Sequence, residues 1–243
     1  MSEKTTTRPQ DPDRIRKMFD AIAPTYDLLN RLLSFGLDVR WRRKAVSFLS
    51  EKHGGTFLDI AAGSGDVSLE LLTLRPARIV ATDFAPAMLH VFKRKLAGRR
   101  ETGMVDLVIC DALQLPFRDG SFDATIVAFG IRNFADRDAG LREMLRVLAP
   151  GGISVILELS KPDGPLAEGF YNLYASIGVP VLGRIISRHE SAYRYLPESI
   201  RNFPERGDFL ASMAKAGFTG SVAHPVTFGA ATIYVGRKPG LIP

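Results

Sequence analysis

Cysteine is nearly missing from this 243-residue chain: Cys110 is the single example. One thiol excludes an intrachain disulfide and any zinc site built on several thiolates, which agrees with a reducing compartment, and no metal is expected. Long apolar runs are missing as well. No stretch approaches the ~20 uninterrupted apolar residues of a membrane-spanning helix, and the opening MSEKTTTRPQ lacks the apolar centre of a signal peptide, so a cytoplasmic location is expected. There is no internal repeat or low-complexity tract. What is present, 46% hydrophobic residues, suffices for one two-sided α/β core with room for a lid. The formal charge is +6, and residues 1–55 carry 11 Lys/Arg against 7 Asp/Glu, so the basic bias is N-terminal. Such a charge admits nucleic acid, an anionic membrane surface or an anionic substrate without choosing among them.

Residues 1–12 are polar, contain Pro9 and Pro12, and read as a disordered tail. A helical preface follows over 13–53. Apolar residues recur at helical spacing from Ile15 to Leu33 around a break at Pro24, and Asp38 is expected to cap a further helix carrying Trp41, Ala45, Phe48 and Leu49. From residue 54 onward the pattern changes. TFLDIA, RIVATD, MVDLVICD, FDATIVAF and GISVILEL read as strands, with helices after Asp66, Pro86 and Asp136; this alternation implies a parallel sheet covered on both faces. FTGSVAHP and GAATIYVGRK are expected as the last strands, after a helix from about Glu205 to Ala216 ended by Gly217. Residues 161–202, rich in Phe, Tyr, Ile and Val, read as a helical insert.

Asp59-Ile-Ala-Ala-Gly63-Ser64-Gly65-Asp66 is a strand running into a Gly-x-Gly turn that opens a helix. Ligands in open α/β sheets sit beyond the carboxyl ends of the strands, where glycine lets the backbone come close, so Gly63 and Gly65 are expected to face a small molecule unless the turn is only a tight connection. Asp83 ends the second strand 20 residues after Gly63, where a carboxylate accepts the two ribose hydroxyls of an adenosine; it can also cap the helix beginning near Pro86. Asp111-Ala112, at the end of the third strand, offers an acceptor to an adenine amino group. A nicotinamide dinucleotide would explain the first three of these residues equally, but its third glycine is replaced by Ser68. Asp59 inside the first strand and Asp111 on the third together resemble class I methyltransferases instead.

The chain resembles the ubiquinone/menaquinone biosynthesis C-methyltransferase family from about Met18 to Lys238. The similar stretches are Phe19-Asp20-Ala-Ile-Ala-Pro-Thr-Tyr26-Asp27-Leu-Leu-Asn30, Ser34-Phe-Gly36 with Arg40-Trp41-Arg42, Gly130-Ile-Arg132-Asn133-Phe134, Arg146-Val-Leu-Ala-Pro150-Gly151-Gly152, Leu157-Glu158-Leu-Ser160-Lys161-Pro162 and Tyr193-Arg194-Tyr195-Leu196-Pro-Glu198-Ser199-Ile200. The resemblance implies a Rossmann-like class I methyltransferase sheet, mostly parallel with a reversed last strand, the preface covering the active site and the insert serving as a lid. It also implies S-adenosylmethionine as cofactor, contacted by Ser64, Asp83, Asp111 and Ala112. Ala128 stands where some family members have a serine, so only a backbone contact carries over there.

The implied reaction is methylation of a ring carbon of a reduced, prenylated quinone. Demethylmenaquinol is the expected substrate, and dual specificity including a benzoquinol is the alternative. A hydroquinone carbon becomes nucleophilic when a neighbouring hydroxyl loses its proton. Arg132, always charged, is expected to stabilise that phenolate electrostatically, with Asn133 orienting it and Tyr26 completing the pocket. Tyr26 and Asp27 can equally be packing and capping residues. Glu158 can sit near the reaction or hold neighbouring backbone. Trp41 is expected to be a core or interface anchor, Cys110 a buried strand residue, and His53, His189 and His224 bystanders.

Nucleic acid is not an expected partner: there is no Asn/Asp-Pro-Pro-aromatic motif, no Pro-Cys nucleophile and no aromatics interleaved with Lys/Arg. A non-catalytic cofactor-binding module would leave Gly-Ile-Arg-Asn without purpose. Peripheral membrane contact is expected through Leu28-Leu29…Leu32-Leu33 and Phe170…Tyr174…Ile177…Val181, aided by Arg31, Arg40, Arg42, Arg43 and Lys44 where they reach the surface. A homodimer is compatible with all of this.

Overall fold

Alternation along the strands sorts their side chains between two cores. Phe57, Ile79, Ala81, Ala124, Ile126 and Val155 fall on one face of the sheet, and Leu58, Ile60, Val80, Val127 and Ile156 on the other, as a period of two requires. The computed structural model describes residues 11–162, 164 and 190–240. In chain order its elements are α1 (Pro12–Ile22), α2 (Tyr26–Leu33), α3 (Leu37–Ser47), β1 (Thr56–Ile60), α4 (Asp66–Leu71), β2 (Arg78–Asp83), α5 (Pro86–Leu96), β3 (Val105–Ile109), β4 (Phe122–Ala128), α6 (Arg137–Val147), β5 (Leu148–Leu159), α7 (Glu190–Arg201), α8 (Arg206–Ala216), β6 (Thr219–Val226) and β7 (Ala231–Arg237).

The sheet order is β3-β2-β1-β4-β5-β7-β6. Strands β1 to β5 pair in parallel, whereas β7 runs antiparallel to both β5 and β6 and is the reversed last strand. The order reverses direction between β1 and β4, so the crevice at that switch point, beyond the carboxyl ends, is where the fold offers a ligand site. Trp41, Leu49, Leu71 and Phe92 cover one face, and Leu141, Met144, Phe209 and Met213 the other.

The preface is helical, with Pro24 inside the 3-10 turn Ala23–Thr25 that joins α1 to α2. Two boundaries differ from the sequence reading. Helix α1 starts at Pro12, inside the stretch read as tail, because the Asp11 carboxylate accepts the N–H of Asp13 and proline suits a first helical position. Asp38 is not a cap: Gly36, in the left-handed region at φ 75°, precedes α3, and Asp38 lies in its first turn. The insert expected over 161–202 falls mostly outside the described residues, as do His189 and the Phe170…Val181 stripe; its end is α7.

Charge anchors the preface. Arg42 is buried and donates to Asp38 (2.6 Å) and to Asp66 at the start of α4 (3.0 Å). Lys95 of α5 bridges Asp66 (2.7 Å) and Asp27 of α2 (2.5 Å). Burial opposes ionisation of Asp66, but Lys95 and Arg42 outweigh it and hold the carboxyl below its ordinary value. Asp20 of α1 accepts the N–H of Ala87 (3.0 Å), placing a carboxylate at the positive end of α5.

Removing one partner of a buried ion pair leaves the other charge uncompensated, so Arg42→Ala should lower the stability measured by urea unfolding by about 3 kcal/mol. Arg43→Ala, at an arginine 67% exposed and 3.7 Å from Glu70, should cost under about 1 kcal/mol. Equal losses would show that the network does not secure the preface.

Candidate functional site

The crevice beyond β1 to β4 is walled from below by strand ends and from above by the preface. Its lining includes Phe19 and Tyr26 from the preface, Ala61 and Gly63 after β1, Asp83, Phe84 and Met88 around the end of β2, Cys110 to Leu113 after β3, and Ala128, Phe129, Gly130, Asn133 and Phe134 after β4. Seven of the sequence candidates therefore meet at one cavity: Tyr26, Gly63, Asp83, Asp111, Ala112, Ala128 and Asn133. Asp59, Ser64, Gly65 and Arg132 do not line it.

Asp83 organises the cavity wall beyond β1 and β2. Its Oδ2 accepts the N–H of Gly63 (2.8 Å) and its Oδ1 that of Ala85 (2.8 Å), so each oxygen retains capacity for a further donor. It thus holds the local backbone and still presents both oxygens, but it does not cap α5: Ala85 is the N-cap, and the Ala87 N–H inside the helix goes to Asp20. Burial pushes its pKa up to about 6 against the hydrogen bonds from Ala85 and Gly63, with Asp20 adding a like charge. Asp111 lies just beyond β3, exposed, its Oδ1 accepting the N–H of Leu113 at 2.9 Å.

Asp59 acts from beneath. It is 1% exposed, its Oδ2 takes the Ser68 hydroxyl (2.6 Å), and its Oδ1 has no hydrogen-bond partner among the described residues. Burial pushes its pKa up to about 7, offset by the Ser68 hydroxyl and reinforced by the Asp83 charge. Two carboxyls destabilised in this way favour a cationic ligand, whose charge relieves both. A pocket with a two-oxygen acceptor for ribose hydroxyls, above a carboxyl whose ionisation a positive charge would favour, fits a sulfonium nucleoside.

The two glycines of the turn do different work. Gly63, at φ 57°, turns its N–H onto Asp83. Gly65, at φ 85°, is a packing residue: an added Cβ would stand 2.0 Å from the ring of Phe92, which is fully buried in α5. The Ser64 hydroxyl donates to Asp27, joining the turn to the preface. Ala61 and Phe129, which follow the adjacent strands β1 and β4, both have positive φ, 52° and 58°, so the crevice wall carries backbone strain at two neighbouring strand ends.

At the other end Arg132 is buried and held by Glu158, whose Oε1 accepts its guanidinium (2.7 Å) and whose Oε2 accepts its N–H (3.1 Å). Arg132 also donates to the Phe129 carbonyl. The sequence reading had Asn133 orienting Arg132; instead Glu158 orients it, while Asn133 faces the cavity and accepts the Tyr195 hydroxyl of α7 (2.8 Å). Burial alone would lower the Arg132 pKa, but Glu158, Tyr26 and Tyr195 raise it, so the guanidinium stays charged. Burial raises the Tyr26 pKa despite its hydrogen bond with Asn30 and the nearby Arg132, which keeps the phenol protonated.

Cys110 is a half-buried wall residue just past β3 rather than a strand residue, and burial pushes its thiol up to about 11. Trp41 is a core anchor, its Nε1 donating to Thr227 (2.8 Å). His224 stacks on Phe48 away from the cavity. Phe84 and Met88 were not singled out from sequence; their one signal is being apolar within a few residues of a strand end.

The folded Asp59 carboxyl holds its proton to about pH 7, against about 4 when unfolded, so stability should fall as pH rises through that window. The isosteric Asp59→Asn variant should flatten the slope in urea unfolding between about pH 5 and about pH 8. Parallel profiles for the two proteins would contradict the assignment.

Comparison with known proteins agrees with this geometry. Residues 7–238 match the model of the ubiE/COQ5 methyltransferase family. The chain is 47% identical over 228 residues to the ubiquinone/menaquinone biosynthesis C-methyltransferase UbiE of Geobacter sulfurreducens, covering 93% of this chain and 89% of that protein. It is 50% identical over 225 residues to the demethylmenaquinone methyltransferase of Thermus thermophilus, covering 91% and 100%. Among solved structures, a SAM-dependent methyltransferase of Thermotoga maritima shares the fold at a TM-score of 0.64 and 17% identity, covering 91% of this chain and 99% of that one. The chain belongs to the ubiE/COQ5 methyltransferase family, and S-adenosylmethionine is its cofactor.

Proposed function

We propose that the protein methylates a ring carbon of a reduced, prenylated quinone, with demethylmenaquinol as substrate. The observation that carries this reading is the meeting of two chemistries in one cavity: the acceptors Asp83 and Asp111 share its lining with the rings of Phe19, Tyr26, Phe129 and Phe134, and Asn133 adds an amide. An apolar ring with hydroxyls at its edge suits the aromatic rings and the amide; the names of the relatives point to the same class of substrate.

S-adenosylmethionine supplies an electrophilic methyl group on a positively charged sulfur, so alignment and activation of the acceptor are what remain for the protein. Asp83 orients the ribose. Asn133, fixed through its Oδ1 by Tyr195, keeps an amide hydrogen for a ring hydroxyl; its Nδ2 is otherwise 3.5 Å from the Phe129 carbonyl, at the limit of a hydrogen bond. Protonated Tyr26 is a second donor. Arg132 lies behind this pair as a permanent charge balanced by Glu158, so it favours the ring anion by its field and does not take the proton. Water accepts it.

Two substitutions separate the two chemistries. Asp83→Ala should weaken S-adenosylmethionine binding in calorimetry by about 1.5–3 kcal/mol, the range for hydrogen bonds to a charged group; wild-type affinity would remove it from the ribose role. Arg132→Ala would strand Glu158, which is fully buried, so Asn133→Ala is the cleaner probe of the ring end. It should lower kcat/KM for demethylmenaquinol by about tenfold or more while leaving cofactor affinity within about twofold. Unchanged turnover would contradict the placement of the ring, and faster methylation of a demethylated benzoquinol would transfer the assignment to that substrate.

A further inference from the structure

Helices α2 and α3 each bury one side and expose another of different character. Leu29 of α2 is buried, whereas Leu28 and Leu32, four residues apart on one face, are 53% and 40% exposed. On α3, Trp41, Arg42, Ala45 and Val46 turn inward, and Arg40, Arg43 and Lys44, at the spacing of one helix face, are exposed. Arg31 projects from α2 with its side chain 55% exposed. Of the five basic residues in these two helices only Arg42 is buried, held by Asp38 and Asp66; Arg31 and Arg43 stand 3.9 Å from Asp66 and 3.7 Å from Glu70 with side chains 55% and 67% exposed. The acidic side chains of the same helices are already engaged, Asp38 by Arg42 and Asp27 by Lys95.

A third apolar point lies at the same end of the molecule. Leu159 at the end of β5 pairs with Ala231 at the start of β7, so the β6–β7 turn projects beyond the carboxyl ends of the strands, and Thr227 in it receives the Trp41 indole N–H from α3. The turn closes with the Gly229 N–H on the Val226 carbonyl, and its central residues Thr227 and Phe228 have φ of 50° and 53°. Asparagine and glycine are the residues favoured there. A phenylalanine in that conformation, 83% exposed, contributes nothing to the core and costs backbone energy.

We propose that the outward faces of α2 and α3, together with the Phe228 tip, form a docking surface for an anionic lipid bilayer. Charge complementarity selects this occupant. Leucine and phenylalanine side chains enter the headgroup boundary while Arg31, Arg40, Arg43 and Lys44 meet lipid phosphates, the combination that holds amphipathic elements at an interface without spanning it. Among the described residues no helix is long and apolar enough to cross a membrane. Tyr26, the first residue of α2, lines the cavity, so docking brings that wall of the cavity beside the phase that dissolves a prenyl chain. Binding itself does not depend on the quinol reading.

The test is sedimentation with vesicles of phosphatidylcholine alone or with about 30% phosphatidylglycerol, at ~20 mM and ~500 mM salt, without substrate. The protein should partition into the anionic vesicles at least about tenfold more strongly at low salt than at high. The exposed-site variants Leu28→Ser/Leu32→Ser/Phe228→Ser and Arg40→Ser/Arg43→Ser/Lys44→Ser should each lose about tenfold in partitioning while binding S-adenosylhomocysteine as the wild type does. Equal binding to neutral and anionic vesicles, or undiminished binding of either variant, overturns the proposal. So does a wild type that ignores vesicles but dimerises through the leucines, which would make this face a contact between copies. Vesicle binding without methylation of quinols would leave the docking surface standing and remove the substrate reading alone.

Discussion

Two backbone N–H groups, from Gly63 and Ala85, converge on the Asp83 carboxylate, and the crevice depends on that convergence. Parallel strands β1 and β2 end side by side, and each chain must turn sharply away from the sheet. The carboxylate gives both turns a common acceptor. It therefore fixes where the first turn can come close to a ligand and keeps oxygens directed at the same space. The cost is visible in the pKa of Asp83, pushed up to about 6, and of Asp59 below it, pushed up to about 7. A ligand that brings positive charge and hydroxyl donors offsets that cost, which makes the electrostatics of the crevice and the choice of a sulfonium cofactor two sides of one arrangement.

The preface completes the site through paired charges. Asp66 is shared by Arg42 and Lys95, Lys95 reaches Asp27, and Asp27 receives the Ser64 hydroxyl of the glycine turn. A continuous path of charge-assisted contacts thus runs from α3 through α4 and α5 to α2 and back to the turn. Tyr26 owes its place above Gly63 to that path. The same logic recurs at the ring end, where Glu158 neutralises Arg132 and braces the backbone after β4.

Much of this was legible in the residues because its signals are local. Alternating apolar strands, the Gly-x-Gly turn and an aspartate closing β2 all announce themselves within a few positions, so the doubly wound sheet and the adenosine end followed from patterning. Contacts between distant positions did not. Asp27 meets Ser64 across 37 residues, Asp20 meets Ala87 across 67, and Tyr195 meets Asn133 across 62. Arg132 shows the consequence: as a residue in a row it is an open cation, but the fold buries it against Glu158. Asp38 was read as a cap because it precedes an apolar run; Gly36 took that position and left Asp38 to pair with Arg42.

The central claim is that one cavity holds a sulfonium donor at its Asp83 end and a hydroquinone ring at its Asn133 end, with carbon as the methyl acceptor. S-adenosylmethionine carrying carbon-13 in its methyl group, turned over with demethylmenaquinol and followed by NMR of the extracted product, tests it directly. The account predicts a single new resonance with the chemical shift of an aryl methyl group. A methyl ether resonance, or label that never reaches the quinol, would contradict it.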